Sequence, residues 1–149
     1  MSQKSSYTLD HVHILVADRE LSAKWYCDLF GFEITECTQD PYGPLSISGD
    51  GGATGLALFT SRVSSDSNRV VAFRVTADEF VAFGARLLDQ EVRGGSGARV
   101  CPEDAKDHGD VLSFYINDPD CNPIEIMTRE LEPARVGLRR LSVESRLEL

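Results

Sequence analysis

Residues 11–16 read HVHILV and residues 70–75 read VVAFRV. Both alternate as a strand does, so Val12, Ile14 and Val16 share one face while His11, His13 and Leu15 share the other. In the second copy Val71, Phe73 and Val75 share a face opposite Val70, Ala72 and Arg74. The segments after the two strands also match. After the first, Asp18 is placed to cap a helix whose apolar stripe is Leu21, Trp25, Tyr26 and Leu29, and Gly31 is placed to end it. After the second, Thr76 and Glu79 have the Thr-x-x-Glu spacing of a capping box. Phe80, Phe83, Leu87 and Leu88 then give the stripe of a second helix.

Outward from these pairs the copies continue. Strands are expected around 32–38, 45–48 and 55–60, punctuated by DPYGP and GDGGATG. In the second half a long glycine-containing segment precedes the strands VLSFYIND and PIEIMT. The opening strands align at an offset of 59 residues and the closing strands, LALFT on IEIMT, at 68. The second copy therefore carries about nine extra residues between helix and last strand, which matches its longer loop. The expected fold class is α+β: two β-α-β-β-β modules, near 9–61 and 69–128, in a single domain, with a tail over 129–149.

Strand parity sorts the side chains. One face takes Val12, Ile14, Val16, Leu56, Leu58, Val71, Phe73, Val75, Leu112, Phe114, Ile116, Ile124 and Ile126, all suited to lie under the helices. The opposite face takes His11, His13, Ala57, Phe59, Val70, Ala72, Arg74, Ser113, Tyr115, Glu125 and Met127. Apolar walls with a few convergent polar groups are the composition of a small-molecule cleft.

Bulk properties exclude other classes. A net charge of −9 over 149 residues opposes sequence-independent nucleic-acid binding and docking on an anionic membrane. No apolar run approaches a membrane span, and MSQKSSYTLD lacks the apolar core of a signal peptide. The four cysteines form no C-x-x-C pair and no metal-ligand spacing, so free thiols in a reducing cytoplasm are expected. GDGGATG fits neither a dinucleotide-binding fingerprint nor a phosphate loop. No cysteine is placed beside a cleft histidine by parity, so no nucleophile pair emerges.

The stretches LDHVHILVADRELSAKWYCDLFGFEI (9–34) and SFYINDPDCNPIEI (113–126), at this separation and with the repeat, resemble the vicinal oxygen chelate superfamily. That superfamily includes glyoxalase I, extradiol dioxygenases, and fosfomycin- and bleomycin-resistance proteins. The resemblance implies two modules curled around a cleft and a homodimer. In catalytic members it also implies a divalent metal held by the first and last strands of each module. His11 and Glu125 match two of those ligand positions, whereas the repeat puts Val70 and Ala57 at the other two, and neither side chain binds a metal. Where the family's turn usually carries glycine this chain has Cys121, which calls for a left-handed backbone at that residue or a turn of different shape.

The residues support two functional readings. In the first, the cofactor is one divalent ion (Fe, Mn, Zn or Ni) held by His11 and Glu125, with His13 completing a two-histidine, one-carboxylate set. His11 and His13 point the same way, roughly 6.5–7 Å apart along the strand. The protein would then be a lyase or dioxygenase acting on a vicinal-oxygen substrate. In the second there is no cofactor. The cleft, lined by His13, Phe59, Arg74, Ser113 and Tyr115, binds a small molecule, and the acidic chain suits a cationic one. Loss of donors at Val70 and Ala57 favours this second, metal-poor reading.

Other residues carry weaker signals. Ser113 and Tyr115 resemble the phosphonate-contacting strand of fosfomycin-resistance proteins. Arg74 is placed either to bind an anion or to pair with Glu125. His108 lies in a structureless loop over 94–109 that is long enough to act as a lid. Trp25 and Tyr26 read as core or dimer contacts. The tail reads as a short amphipathic helix.

Overall fold

The computed structural model describes residues 8–61 and 69–147, with side chains as far as residue 143. The chain divides into two compact units, one within residues 1–64 and the other within 65–149.

The first unit runs β1 (His11–Val16), α1 (Arg19–Phe30), β2 (Glu33–Cys37), β3 (Leu45–Ser48) and β4 (Gly55–Thr60). Its sheet has the order β1-β4-β3-β2, with β1 parallel to β4 and the other neighbours antiparallel. Asp18 caps α1 by accepting the Leu21 amide at 2.9 Å. Gly31 ends the helix in the left-handed region at φ 70°, its amide bonding the Cys27 carbonyl. Ile14, Val16, Leu45, Ile47, Leu56 and Leu58 are buried with Tyr26 and Leu29 of α1. The apolar stripe of α1 is narrower than the sequence suggests. Leu21 is 68% exposed, and the buried face instead includes Arg19, Ser22 and Ala23.

Arg19 is buried because its guanidinium closes the β2–β3 loop from inside. It donates to the carbonyls of Thr38, Asp40 and Gly43 at 2.9, 2.9 and 2.5 Å. A charge is tolerable there because it is fully hydrogen-bonded.

The second unit runs β5 (Val71–Arg74), α2 (Ala77–Asp89), β6 (Lys106–Asp107), β7 (Leu112–Asn117), β8 (Pro123–Thr128) and α3 (Leu131–Leu147). Its sheet order, β5-β8-β7-β6, repeats that of the first unit, with β5 parallel to β8. The pairing is a residue-for-residue copy. Val12 opposite Leu56 becomes Val71 opposite Ile124, and Ile14 opposite Leu58 becomes Phe73 opposite Ile126. Those partners reproduce the offsets of 59 and 68 residues read from the sequence. The core centres on Phe114, whose ring lies 4.7 Å from Phe80 and 5.6 Å from Phe83.

Five expectations for this unit need correction. The capping box of α2 is half made: Thr76 accepts the Glu79 amide, while the Glu79 carboxylate turns to Arg86. Leu88 is exposed at the helix end, and Val70 is an exposed residue ahead of β5. The segment 94–109 is not structureless. A 3-10 turn at Pro102–Asp104 and the short strand β6 organise it, and the Arg99 guanidinium donates to the Leu87 and Leu88 carbonyls. The tail forms a 17-residue helix rather than a short one. α3 packs on α2, where Gly84 meets Leu138 and Gly137 meets Val81 so closely that a side chain at either glycine would press on its neighbour.

At the turn before β8, Asp118 gathers the chain. Its carboxylate accepts from the amides of Asp120 and Asn122 and from the Asn122 side chain, at 2.8–2.9 Å. Cys121 sits at φ 66°, the left-handed conformation that its replacement of glycine calls for. Among the described residues it is the one non-glycine residue at positive φ.

Candidate functional site

The polar face of the first sheet contains a cavity of about 290 Å³. Its floor follows from the ladder. His13 lies opposite Ala57, Ala57 opposite Ser46, and Ser46 opposite Glu36, so these four form one row across the sheet. Glu36 joins the row only because of a β-bulge between Ile34 and Glu36. Without it Thr35 would face Ser46 and the carboxylate would point to the other side. The two small residues in the middle of the row leave room, and His13 and Glu36 stand as walls three strand spacings apart, roughly 14 Å.

At the β1 wall the rings form a continuous array. His11 stacks on His13 with centroids 4.9 Å apart and planes within 13°, and His13 meets Phe59 at 4.6 Å. Asp10 accepts from His11 Nδ1 at 2.6 Å, and His11 Nε2 lies 2.9 Å from His13 Nε2, one of the two nitrogens donating to the other. A carboxylate on one imidazole nitrogen fixes the tautomer and turns the other nitrogen outward. At the far wall Glu36 is exposed and makes no ion pair among the described residues.

The equivalent face of the second sheet is filled. Ala72 lies opposite Glu125, and Glu125 opposite Tyr115. Glu125 Oε1 accepts the Ser113 hydroxyl at 2.6 Å and the Tyr115 hydroxyl at 3.2 Å. The Tyr115 oxygen also lies 3.2 Å from His108 Nε2, and Lys106 places its ammonium 5.5 Å above the Tyr115 ring. Burial, then the neighbouring Glu125 charge, pushes the Tyr115 phenol above its ordinary range, which keeps the hydroxyl that bonds Glu125 protonated. His108 is therefore tied into this network, on an arm anchored by the Asp107–Arg135 ion pair at 2.8 Å. Arg74 is exposed and pairs with neither Glu125 nor another acid among the described residues.

The sequence-predicted residues thus divide between the modules: His11, His13 and Phe59 together in the first, and Ser113, Tyr115 and Glu125 together in the second. Sequence reasoning misses Asp10, Ser46, Glu36 and Lys106. Asp10 directly precedes the H-x-H pair, and Ser46 is the repeat partner of Tyr115, so both carried a signal. Glu36 carried none, since a bulge changes parity without a mark in the pattern.

A catalytic metal needs about three protein donors. The first module offers two converging imidazole nitrogens. The second offers Glu125, with one oxygen already accepting two hydroxyl protons. Among the described residues no group of three or more His, Cys, Asp or Glu side chains is placed to hold a metal ion.

The model of the Glyoxalase/Bleomycin resistance protein/Dioxygenase superfamily matches residues 8–126. The chain belongs to that superfamily. No curated protein matches the sequence. Among solved structures of similar fold is an oxidase, ChaP-H2, at 21% identity and TM-score 0.66, covering 87% of this chain and 99% of that one. The antibiotic binding protein TnmS3 from Streptomyces sp. CB03234 matches at 20% identity and TM-score 0.64, covering 85% and 99%. A fosfomycin resistance protein, FosX, from Listeria monocytogenes, complexed with Mn(II) and a dihydroxypropylphosphonic acid, matches at 16% and 0.61, covering 87% and 98%. At these identities the likeness is one of fold. No helix among the described residues is long and apolar enough to cross a membrane.

Proposed function

We propose that the chain is a small-molecule-binding member of its superfamily that works without a bound metal, its ligand seated in the first-module cavity. The observation that carries this is the row His13–Ala57–Ser46–Glu36. Where the repeat would place a carboxylate matching Glu125, the chain has Ala57, which removes a donor and opens a floor. A cavity that sets the rings of His13 and Phe59 and small apolar side chains beside hydroxyls and carboxylates can hold a ligand with both apolar and polar parts. The antibiotic-binding relative of the same fold is in keeping with this use.

A second reading, a metal-dependent lyase or dioxygenase, draws support from one distance. His11 Nε2 and His13 Nε2 approach to 2.9 Å, with Asp10 behind His11. In that reading His11, His13 and Glu125 hold a divalent ion that serves as Lewis acid.

Metal analysis of protein purified without chelator, and again after loading with Fe(II), Mn(II), Zn(II) and Ni(II), separates the two readings. The proposal expects no stoichiometric metal. Stoichiometric metal that is lost in both His11→Ala and Glu125→Ala overturns it. The same reading has the protein act in the cytoplasm, where its four free thiols stay reduced, and as a homodimer, which light scattering on the purified chain tests.

A further inference from the structure

From the chemistry of the cavity walls we infer that the first-module pocket selects a planar aromatic cation; this rests on the binding function proposed above and names its ligand class. Three independent features converge on it.

The first is the charge of the lining. Asp10 and Glu36 line the cavity, and among the described residues no lysine or arginine does. The surroundings reinforce this. Residues 8–61 hold eight acidic side chains against two basic ones, while residues 69–147 hold fourteen against eleven. The two basic groups among residues 8–61 are committed elsewhere: Arg19 is buried on loop carbonyls, and Lys24 pairs with Asp28 along α1. Among the described residues an anion entering this cavity meets two carboxylates and no permanent cation, and a cation meets the reverse.

The second feature is the ring array. His13 and Phe59, with His11 stacked behind, offer flat faces beside the small side chains of Ala57 and Ser46. A planar ring stacks on such faces, and a positively charged one gains further from the electron-rich Phe59 face. The third is the separation of functions along the row. The rings stand at one end and Glu36 at the other, so a ligand with an aromatic body and a cationic end matches both walls at once. Ser46, between them, offers a hydroxyl that accepts an N–H. The bulge that aims Glu36 into the cavity gives this wall its charge.

The test uses three molecules of one shape: naphthalene-2-carboxamidine (cation), naphthalene-2-carboxamide (neutral) and 2-naphthoate (anion). Their binding to the full chain is followed by calorimetry and by NMR shifts of the His13 and Phe59 rings. The amidine is expected to bind at least tenfold more tightly than the amide, and the naphthoate most weakly, with the gap shrinking as salt rises. Glu36→Gln is expected to bring the amidine down to the level of the amide. Glu33→Gln removes the same charge from the same strand outside the cavity, and is expected to preserve the preference. Equal binding of the three, a preference for naphthoate, or equal effects of Glu36→Gln and Glu33→Gln overturns the inference while leaving a binding pocket in place. Absence of binding by all three overturns the inference and the proposed site together.

Discussion

The two modules share a ladder and differ in what stands on it. In the first, the row His13–Ala57–Ser46–Glu36 has its bulk at the ends and a hollow middle. In the second, the row Ala72–Glu125–Tyr115 has its bulk in the middle, where carboxylate and phenol hydrogen-bond each other. One backbone therefore supports a row with a hollow middle and a row whose middle is filled. The difference lies in two exchanges, Ala57 against Glu125 and Ser46 against Tyr115. A duplicated scaffold separates fold from site in this way because the buried face sets stability and register, while the opposite face is free to diverge.

Filling the hollow row is the strongest way to break this comparison. Ala57→Phe is expected to abolish naphthalene-amidine binding in calorimetry, with an overpacking cost of about 1–3 kcal/mol in urea unfolding. If binding persists, the cavity is not the site. Emptying the filled row comes next. Glu125→Ala leaves the fully buried Ser113 hydroxyl without its acceptor and is expected to cost about 1–3 kcal/mol. Amidine binding should survive this change; its loss would show that binding does not rest on the first-module cavity alone.

A smaller effect tests the turn that leads into the filled row. Cys121→Gly relieves a left-handed backbone and is expected to raise stability by about 1 kcal/mol, less the extra freedom glycine gains when unfolded. A loss of stability would mean that the thiol makes a contact worth more than the strain.

The smallest effect lies at the rim of the hollow row. Asp50 accepts the Thr54 amide and the Ser48 and Thr54 hydroxyls, which hold its carboxyl down to about 2. A folded value below the unfolded one, about 3.9, stabilises the fold above that unfolded value. The contribution is then lost as pH falls from about 4 through about 2. Asp50→Asn should flatten that part of the urea midpoint against pH; an unchanged slope would place the acid response elsewhere.

The architecture was legible because its signals are periodic and occur twice. Alternation in 11–16 and 70–75 set the sheet faces, and the offsets of 59 and 68 residues reappear as strand partners. Cys121 was legible for a different reason: a known turn requires positive φ whatever residue occupies it. Hidden features were those where a local exception overrides the period. Leu21 fits a helical stripe yet faces water, because Arg19 takes the buried side to reach loop carbonyls. The order within 94–109 rests on arginine-to-carbonyl bonds and on the Asp107–Arg135 pair, which leave no pattern in composition. Of the site, His11, His13 and Phe59 could be read from strand parity, but Glu36 could not.

The bulge in β2 works as a change of phase. Every residue after it has its parity reversed, at the cost of one irregular step in an edge strand whose side chains are all exposed. The wall facing His13 can therefore be rewritten by length as well as by substitution. Adding or removing one residue near Thr35 exchanges the side chains offered to a ligand, while β1, β3, β4 and the core beneath them keep their places. A lineage exploring new ligands on this scaffold has a route that barely touches folding, and β2 is where its insertions and deletions should gather.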